Sequence, residues 1–258
     1  MIKMRTLLLK LAKRFPQSIA KKYRDYVGHM TGSLPETVKK IILVLDLDES
    51  ILDEVLAHRP DLVLTHHPLI YGTRAKTLKK DPARAELVCK LEAADICVYS
   101  YHTNFDEGEG GMNDALSKVL ELEEITPLEN DPLARGGKLK KPVPIEEFAK
   151  FALEKFGVSY GLLIAEGNPI ISSVAIVGGG GSRGWRVAQE EGYDLFISGD
   201  APHHVRRDVV LNKYNYLDLP HEIERIFMPT MKEILLDIEP RLEVICIDHE
   251  ELPHLVTD

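Results

Sequence analysis

Short apolar runs alternate with amphipathic stretches between residues 38 and 101. The apolar runs lie at 38–46, 62–67 and 96–101. Continuous runs of this length are typical of strands buried on both faces of a sheet. The stretches between them, 50–58 and 81–94, open with acidic or Asp-Pro sequences that favour helix starts. This alternation predicts βαβ units on a largely parallel sheet, and therefore an α/β fold.

The pattern predicts further elements outside this region. Helices are expected at 1–15, from 112 onward, and at 144–156, 185–191 and 221–236, the last of them kinked at Pro229. Strands are expected at 173–177, 193–197, 214–217 and 242–247. Residues 71–80, rich in Lys and Arg, are expected to form a polar loop that is either solvated or a phosphate-binding edge.

Composition limits the classes of function. The chain has 258 residues, of which 44% are hydrophobic, so it can bury a substantial core. Its formal net charge of -9 argues against a general nucleic-acid-binding surface, although basic residues cluster at Lys138, Lys140 and Lys141. The three cysteines are expected to be reduced thiols of a cytoplasmic protein. No stretch approaches the roughly 20 apolar residues of a membrane span, and no signal-peptide pattern opens the chain.

Histidines and carboxylates follow three of the predicted strands. The donors are His66 and His67 after the second run, His102 and Asp106 after the third, and His221 and Glu224 after the strand at 214–217. Because the carboxyl ends of parallel strands share one edge of a sheet, we expect these side chains to meet in one cleft. Imidazole and carboxylate donors without a thiolate suit zinc, iron or manganese. The sequence therefore predicts a metal site.

Each histidine also has a plainer interpretation. A single buried histidine is more often a core residue with a satisfied hydrogen bond than a metal ligand, and the other donors at the same edge are what favour the metal site. His66 and His67 are adjacent, and successive side chains of an extended chain point to opposite sides. Two neighbouring sites therefore suit this pair better than one shared ion, unless the backbone turns.

The segments THHPL, HTNFD and PHEIER, in this order, resemble motifs of the Ngg-interacting-factor-three-like family, whose bacterial members are called GTP cyclohydrolase I type 2 homologues. The resemblance covers most of the chain. It implies a two-domain α/β subunit, two divalent metal ions per subunit and a ring-shaped hexamer. The positions that match the family's metal ligands are His66, His67, Asp106, His221 and Glu224. The resemblance places His102 beside the site.

Two departures from the family pattern affect these expectations. The family separates the late histidine and glutamate by four positions, whereas His221 and Glu224 are three apart. Both spacings lie on one helix face, and Glu222 is a weaker candidate for the bridging carboxylate. The family's early WDNVGL segment is matched here only by DYVGHM, which begins at Asp25 and lacks the tryptophan and the asparagine, so the resemblance assigns this loop no role.

The domain prediction follows from the same donors. Charged residues at 121–124 and prolines between 127 and 132 indicate a joint between domains. Because His221 and Glu224 must reach the ligands of the first half, the last segment is expected to fold back onto it. The predicted first domain is therefore discontinuous, with residues 1–124 and 217–258 on a largely parallel sheet, and the second α/β domain, 125–216, is inserted.

Two other motifs have competing interpretations. The string from Gly178 to Gly184 satisfies the dinucleotide pattern GxGxxG, but a tight crossing from strand to helix is the favoured interpretation. His203 and His204 follow Pro202, which is a natural first-turn residue, so both are expected to open a helix. A secondary or substrate-side site is the alternative for this pair.

The favoured function is metal-assisted hydrolysis of a small molecule, with a nucleotide or another phosphate-containing compound as candidate substrate. His102 is expected to orient a ligand or carry a proton, and Glu224 to bridge the two ions. The alternative is a ring-forming scaffold or regulatory factor that needs metal but has no turnover. A nucleic-acid partner is the least favoured option.

Overall fold

The computed structural model describes residues 1–253 and Val256. The chain divides into two compact units, of which the first combines Met1–Gly111 with Phe227–His249. The second combines Met112–Ile226 with the chain from Glu250. This division differs from the boundaries expected after residues 124 and 216. The expected first domain also included residues 254, 255, 257 and 258, which lie outside the described part of the chain.

The first unit is built around a five-stranded sheet. Its elements are β1 (Ile2–Lys3), α1 (Met4–Arg14), α2 (Gln17–Lys22), β2 (Gly28–Thr31), β3 (Thr37–Val38), β4 (Lys40–Val44), α3 (Leu52–His58), β5 (Leu62–Thr65), α4 (Arg74–Lys80), α5 (Pro82–Ala93), β6 (Val98–Ser100), α6 (Thr103–Glu107) and, after the second unit, α11 (Phe227–Ile238) and β13 (Glu243–Cys246). A short 3₁₀ helix, Glu49–Ile51, precedes α3.

The strand order β13-β4-β5-β6-β2 confirms the parallel sheet predicted from the apolar runs. The four strands β13, β4, β5 and β6 are parallel, and β2 joins the edge antiparallel to β6. β1 and β3 form a separate antiparallel pair. Residues such as Ile42, Val63 and Val98 are fully buried against α3 and α5 residues, including Val55 and Val88, in one hydrophobic cluster.

The second unit contains a six-stranded mixed sheet. Its elements are α7 (Met112–Val119), β7 (Glu123–Pro127), β8 (Arg135–Pro144), α8 (Ile145–Phe156), β9 (Leu162–Ala165), β10 (Ile170–Ile176), α9 (Trp185–Glu190), β11 (Leu195–Ser198), α10 (His203–Leu211) and β12 (Asn215–Asp218). Two 3₁₀ helices, Ser182–Gly184 and His221–Ile226, complete it. Its order is β7-β8-β10-β11-β12-β9, in which β10, β11 and β12 are parallel and the outer pairings are antiparallel.

Three local predictions need correction. Residues 74–80 of the expected loop form the helix α4, which is held against α5 through Asp81, whose carboxylate caps α5. The expected helix at 221–236 is a 3₁₀ turn followed by α11, and Pro229 lies in the first turn of α11, where it displaces no intrahelical hydrogen bond. The strand at 214–217 was expected to share one sheet edge with the strands before His66 and His102, but it pairs with β11 and β9 in the second sheet.

Among the described residues, none of the helices combines the length and the apolar character that crossing a bilayer requires. The three cysteines are free thiols, in keeping with the expectation from the sequence. Burial raises the pKa of the Cys97 thiol to about 11, with a smaller contribution from the nearby Asp95 carboxylate, so this thiol is an unreactive part of the core.

Candidate metal centre

Three adjacent parallel strands of the first unit end in polar side chains. Asp46 follows β4, His66 and His67 follow β5, and His102 follows β6. The backbone turns directly after Thr65, since the amides of His66 and His67 both donate to the Leu45 carbonyl, at 3.2 and 3.0 Å. This turn breaks the alternation of an extended strand. The two imidazoles consequently point into the same space, with ring centroids 5.0 Å apart.

The histidines His66, His67 and His102 form a compact donor group. Each offers a ring nitrogen, and these atoms lie within 4.8 Å of one another, an arrangement that could hold a metal ion. His66 is fully buried, and His67 and His102 are partly buried. Phe227 packs 5.3 Å from the His66 ring, measured between centroids, so an apolar side chain backs the cluster.

Hydrogen bonds fix the orientation of all three rings. In each, Nδ1 faces an oxygen that can only accept, so Nδ1 carries the proton and the lone pair of a neutral ring lies on Nε2. The acceptors are the Tyr101 carbonyl for His66 at 2.9 Å, Asp46 Oδ2 for His67 at 2.6 Å and Asp25 Oδ2 for His102 at 2.7 Å. This pattern is typical of histidines that bind metals, because the acceptor holds the ring and makes Nε2 a better ligand.

Asp106 lies beside this group. It is carried by α6, and its Oδ1 atom is 3.5 Å from Nε2 of His66. The Nε2 lone pair and the carboxylate oxygen are both acceptors, so their approach is repulsive unless a proton or a metal ion lies between them. A protonated imidazolium would place a charge in a fully buried position, which is costly. The donor set therefore fits a divalent cation.

Asp25 and His102 form an ion pair that shifts both groups. Burial acts to raise the pKa of Asp25, but hydrogen bonds from His102, Thr103 and the Tyr26 amide, together with the charge of His102, lower it to about 2. Burial acts to lower the pKa of His102, and the hydrogen bond to Asp25 with the charges of Asp106 and Asp25 outweighs it and raises the pKa. The early loop thus supplies the carboxylate that orients His102.

The second unit repeats this arrangement at three strand ends. A glycine turn at 178–181 follows β10, Asp200 follows β11, and the 3₁₀ helix His221–Ile226 follows β12. His221 Nδ1 donates to Asp200 Oδ2 at 2.6 Å, and its Nε2 is 3.0 Å from Glu224 Oε2. A carboxylate on each side of one imidazole requires a second proton or a cation at Nε2. This donor pair also fits a metal ion.

The 3₁₀ helix explains why His221 and Glu224 contact each other although they are only three residues apart. Three residues complete one turn of a 3₁₀ helix, so side chains at i and i+3 lie directly above one another. His221 and Glu224 meet for this reason, with Glu224 buried and His221 about one-third exposed. Asp200 has φ of 55°, in the left-handed region that aspartate tolerates better than most residues. This conformation directs its carboxylate to His221.

The glycine turn leaves space over the same two donors. Gly179 has φ of +56°, and a Cβ there would lie 2.4 Å from Glu224 Oε1 and 2.8 Å from His221 Nε2. The Gly199 amide donates to the Gly179 carbonyl at 2.7 Å and pins the turn in place. A side chain at Gly179 would fill the space beside Glu224 Oε1 and His221 Nε2 in which an ion could bind. The string that satisfies GxGxxG therefore contacts the His221 and Glu224 donors directly.

The remaining predicted candidates lie apart from these donor groups. Glu222 is on the same 3₁₀ helix but belongs to no cluster of ligand atoms found in the described part of the chain. His203 and His204 open α10 after Pro202, as expected, and both are exposed. Neither of them contributes to a donor group within residues 1–253.

Sequence reasoning missed the carboxylates that orient the imidazoles. Asp46 and Asp200 each come within two residues of the end of a parallel strand. A carboxylate at that position could have been recognised from the sequence as a candidate partner of the histidines. Asp25 was visible only through the altered early motif. The Tyr101 carbonyl could not have been found, because any residue supplies a backbone oxygen and only the fold selects which one.

The fold and these donor groups define a class, namely two-unit α/β proteins with clustered histidine and carboxylate side chains that could hold a metal ion. The family model described as Duf34/NIF3 (NGG1p interacting factor 3) matches residues 2–253. The chain belongs to this family. That assignment confirms the resemblance noted in the sequence motifs.

Individual relatives agree with the assignment. The chain is 31% identical over 203 residues to the GTP cyclohydrolase 1 type 2 homolog of Clostridium perfringens, which covers 76% of this chain and 77% of that protein. It is 30% identical over 252 residues to the protein of the same name from Lactococcus lactis, covering 94% and 95%. The crystal structure of Staphylococcus aureus protein SA1388 has the same fold, with a TM-score of 0.88 at 22% identity over 98% of this chain and 99% of that one.

Proposed function

We propose that this protein is a dinuclear-metal-dependent hydrolase of a small phosphate-containing molecule, with a nucleotide as the first candidate. The observation that carries the proposal is the shared orientation of four imidazoles, each of which donates through Nδ1 to an oxygen acceptor and so presents Nε2 on its other side. Within the first unit Asp106 lies beside His66, and within the second Glu224 lies beside His221, and both pairings support metal binding.

The proposed ligands are His66, His67 and Asp106 in the first unit and His221 and Glu224 in the second. Nitrogen and oxygen donors of this kind accept zinc, iron or manganese, so the native metal is left to experiment. Two bound divalent ions would polarise a substrate oxygen and lower the pKa of water. Glu224 is the proposed carboxylate ligand of the second unit, since its Oε2 atom lies 3.0 Å from His221 Nε2, whereas Glu222 does not belong to the donor group.

His102 is proposed to transfer a proton at Nε2. Asp25 holds the ring through Nδ1, and the raised pKa of His102 favours proton uptake by the ring. Its ring centroid is 5.1 Å from that of His66, so a proton on Nε2 is available beside the proposed ligands. Replacing His102 with alanine should lower kcat while the protein keeps its metal content.

The names of the relatives bear on the substrate. GTP cyclohydrolase 1 type 2 homologues of Clostridium perfringens and Lactococcus lactis make GTP the first compound to assay. The same family resemblance implies a hexameric ring in the cytoplasm, which light scattering of the purified protein tests. The assay should include phosphomonoesters and phosphodiesters, because the donor sets themselves do not select a base.

The test compares Glu224→Ala with Glu222→Ala, two acidic positions on the same 3₁₀ helix. With added manganese, zinc or iron, the wild type should turn over at least one substrate of the panel. Glu224→Ala should lose at least about 100-fold in kcat/KM, and Glu222→Ala should stay within about threefold. A protein that binds metal and assembles but turns over nothing would instead be a metal-stabilised scaffold.

A further inference from the structure

A cavity of about 310 Å³ lies in the first unit between α2, the segment that leads into β2 and the chain before α4. Its apolar wall is formed by Ala20, Val27, Met30 and Ile70, with the ring of Tyr26. Its polar lining is formed by Gln17, Lys21, Asp25, His29 and Arg74. The cavity is larger than a single phosphate group needs, so an organic group can accompany a charged one.

The charged lining is mainly basic. Lys21 is exposed and forms no ion pair with any other residue in the described part of the chain. Arg74 is anchored by Glu92, at 2.6 Å from its Nη2 atom, and Glu92 is also held by the Thr31 hydroxyl at 3.1 Å. A guanidinium has five N–H donors, so this anchor fixes the group and leaves donors for a ligand.

Asp25 connects this cavity to the histidine cluster. One oxygen of its carboxylate accepts from His102 Nδ1 at 2.7 Å, and the same side chain lines the cavity. Because that carboxylate is engaged by His102 and Thr103, it opposes an incoming anion less than a solvated carboxylate would. The cavity and the proposed proton-transfer residue are therefore separated by a single side chain.

We propose that this cavity is the subsite that binds the substrate's oxyanion, a phosphate or carboxylate, through Lys21 and Arg74. The apolar wall and Tyr26 then contact the organic part of the same molecule. That the anion belongs to a substrate rests on the proposed function. The binding of the anion by Lys21 and Arg74 does not itself require a metal ion. Paired cations, one of them a fixed guanidinium, are the usual protein partners of phosphate oxygens.

Phosphate binding to the metal-free protein tests the subsite. Calorimetry with inorganic phosphate at low ionic strength should give a dissociation constant that rises about tenfold in Lys21→Ala and in Arg74→Ala. Lys22→Ala and Lys76→Ala are matched controls on α2 and α4 that do not line the cavity, and both should stay within about twofold. Lys21→Arg should retain binding because it keeps the charge.

A second readout locates the anion. Phosphate should protect Lys21 from acetylation by a soluble amine reagent and leave Lys22, which pairs with Glu107 at 3.0 Å, unchanged. Equal loss of affinity in all four alanine variants, or protection of both lysines alike, would overturn the subsite.

The subsite and the proposed function fail in different ways. Purified protein that binds no divalent ion removes the proposed function, whereas Lys21-dependent phosphate binding in that same sample still supports the subsite. Metal-loaded protein whose KM for a phosphate ester is the same in wild type and Lys21→Ala removes the subsite, and leaves the proposed function standing.

Discussion

Each unit of this protein brings polar groups to the carboxyl ends of three adjacent parallel strands, but the two units do so differently. In the first, β4, β5 and β6 lead to Asp46, to the His66 and His67 pair, and to His102. In the second, β10, β11 and β12 lead to a glycine turn, to Asp200 and to a 3₁₀ helix with His221 and Glu224. The donors of the first unit are mainly imidazole nitrogens, whereas those of the second unit are one imidazole and one carboxylate.

The difference shows two ways to orient a candidate metal ligand. In the first unit, the proposed ligands His66 and His67 lie directly at a strand end, and the acceptors that orient the imidazoles come from neighbouring strands and the early loop. In the second, the proposed ligands lie on the 3₁₀ helix that follows the strand, and a glycine turn keeps the space over them open. We therefore expect the first set to depend on its hydrogen-bond acceptors and the second to depend also on Gly179.

The largest effect is expected at the glycine turn. Gly179→Ala should lower the free energy of unfolding by about 3 kcal/mol, because alanine is disfavoured at positive φ and its Cβ would overlap Glu224. Gly180→Ala is the matched control, since a Cβ at Gly180 meets nothing within 4 Å. Urea unfolding of both variants gives the two free energies of unfolding, and the metal content of each variant is measured in parallel. Equal stability of the two variants would refute this role.

The acceptors should matter in both units. Asp46→Asn and Asp200→Asn each replace the carboxylate that holds an imidazole Nδ1, so each should weaken metal binding by about 10- to 100-fold. Competition with a fluorescent chelator measures this loss for each variant. Should only Asp46→Asn weaken binding, the parallel between the two units would be broken, and His221 would be a ligand that needs no oriented ring.

A smaller effect concerns the acid stability of the first unit. The pKa of Asp25 is lowered from 3.8 to about 2 in the folded protein, so its stabilising contribution is present above pH 4 and lost as the pH falls towards 2. Asp25→Asn should therefore cost the metal-free protein about 2 kcal/mol near pH 6, and the difference from wild type should shrink below pH 4. Urea unfolding at several pH values provides the measurement, and a difference that stays constant would contradict the ion pair.

The sequence predicted the first unit better than the second because burial leaves a clear pattern. β4 and β5 are buried almost throughout, so their apolar runs were visible. β7 is mostly exposed and overlaps the charged stretch that was interpreted as a joint between domains. Most of β8 is exposed and charged, and it includes prolines, so no strand was predicted there. Edge and surface strands of this kind carry little hydrophobic signal.

The candidate ligands were visible for a related reason. His66, His102 and His221 each follow a strand closely, and strand position can be read from sequence. Two features could not be read in this way, namely the sheet to which β12 belongs and the 3₁₀ form of 221–226. Both depend on pairing between distant residues, such as Tyr216 with Phe196, which a pattern of local residues does not encode.

The most direct test of the account is the anomalous scattering of crystals grown with manganese or zinc. The account predicts two ions per chain, one coordinated by Nε2 of His66 and of His67 and by Asp106, the other by Nε2 of His221 and by Glu224. Crystals that show no ion at these atoms, from protein that retains its fold in saturating metal, would contradict it.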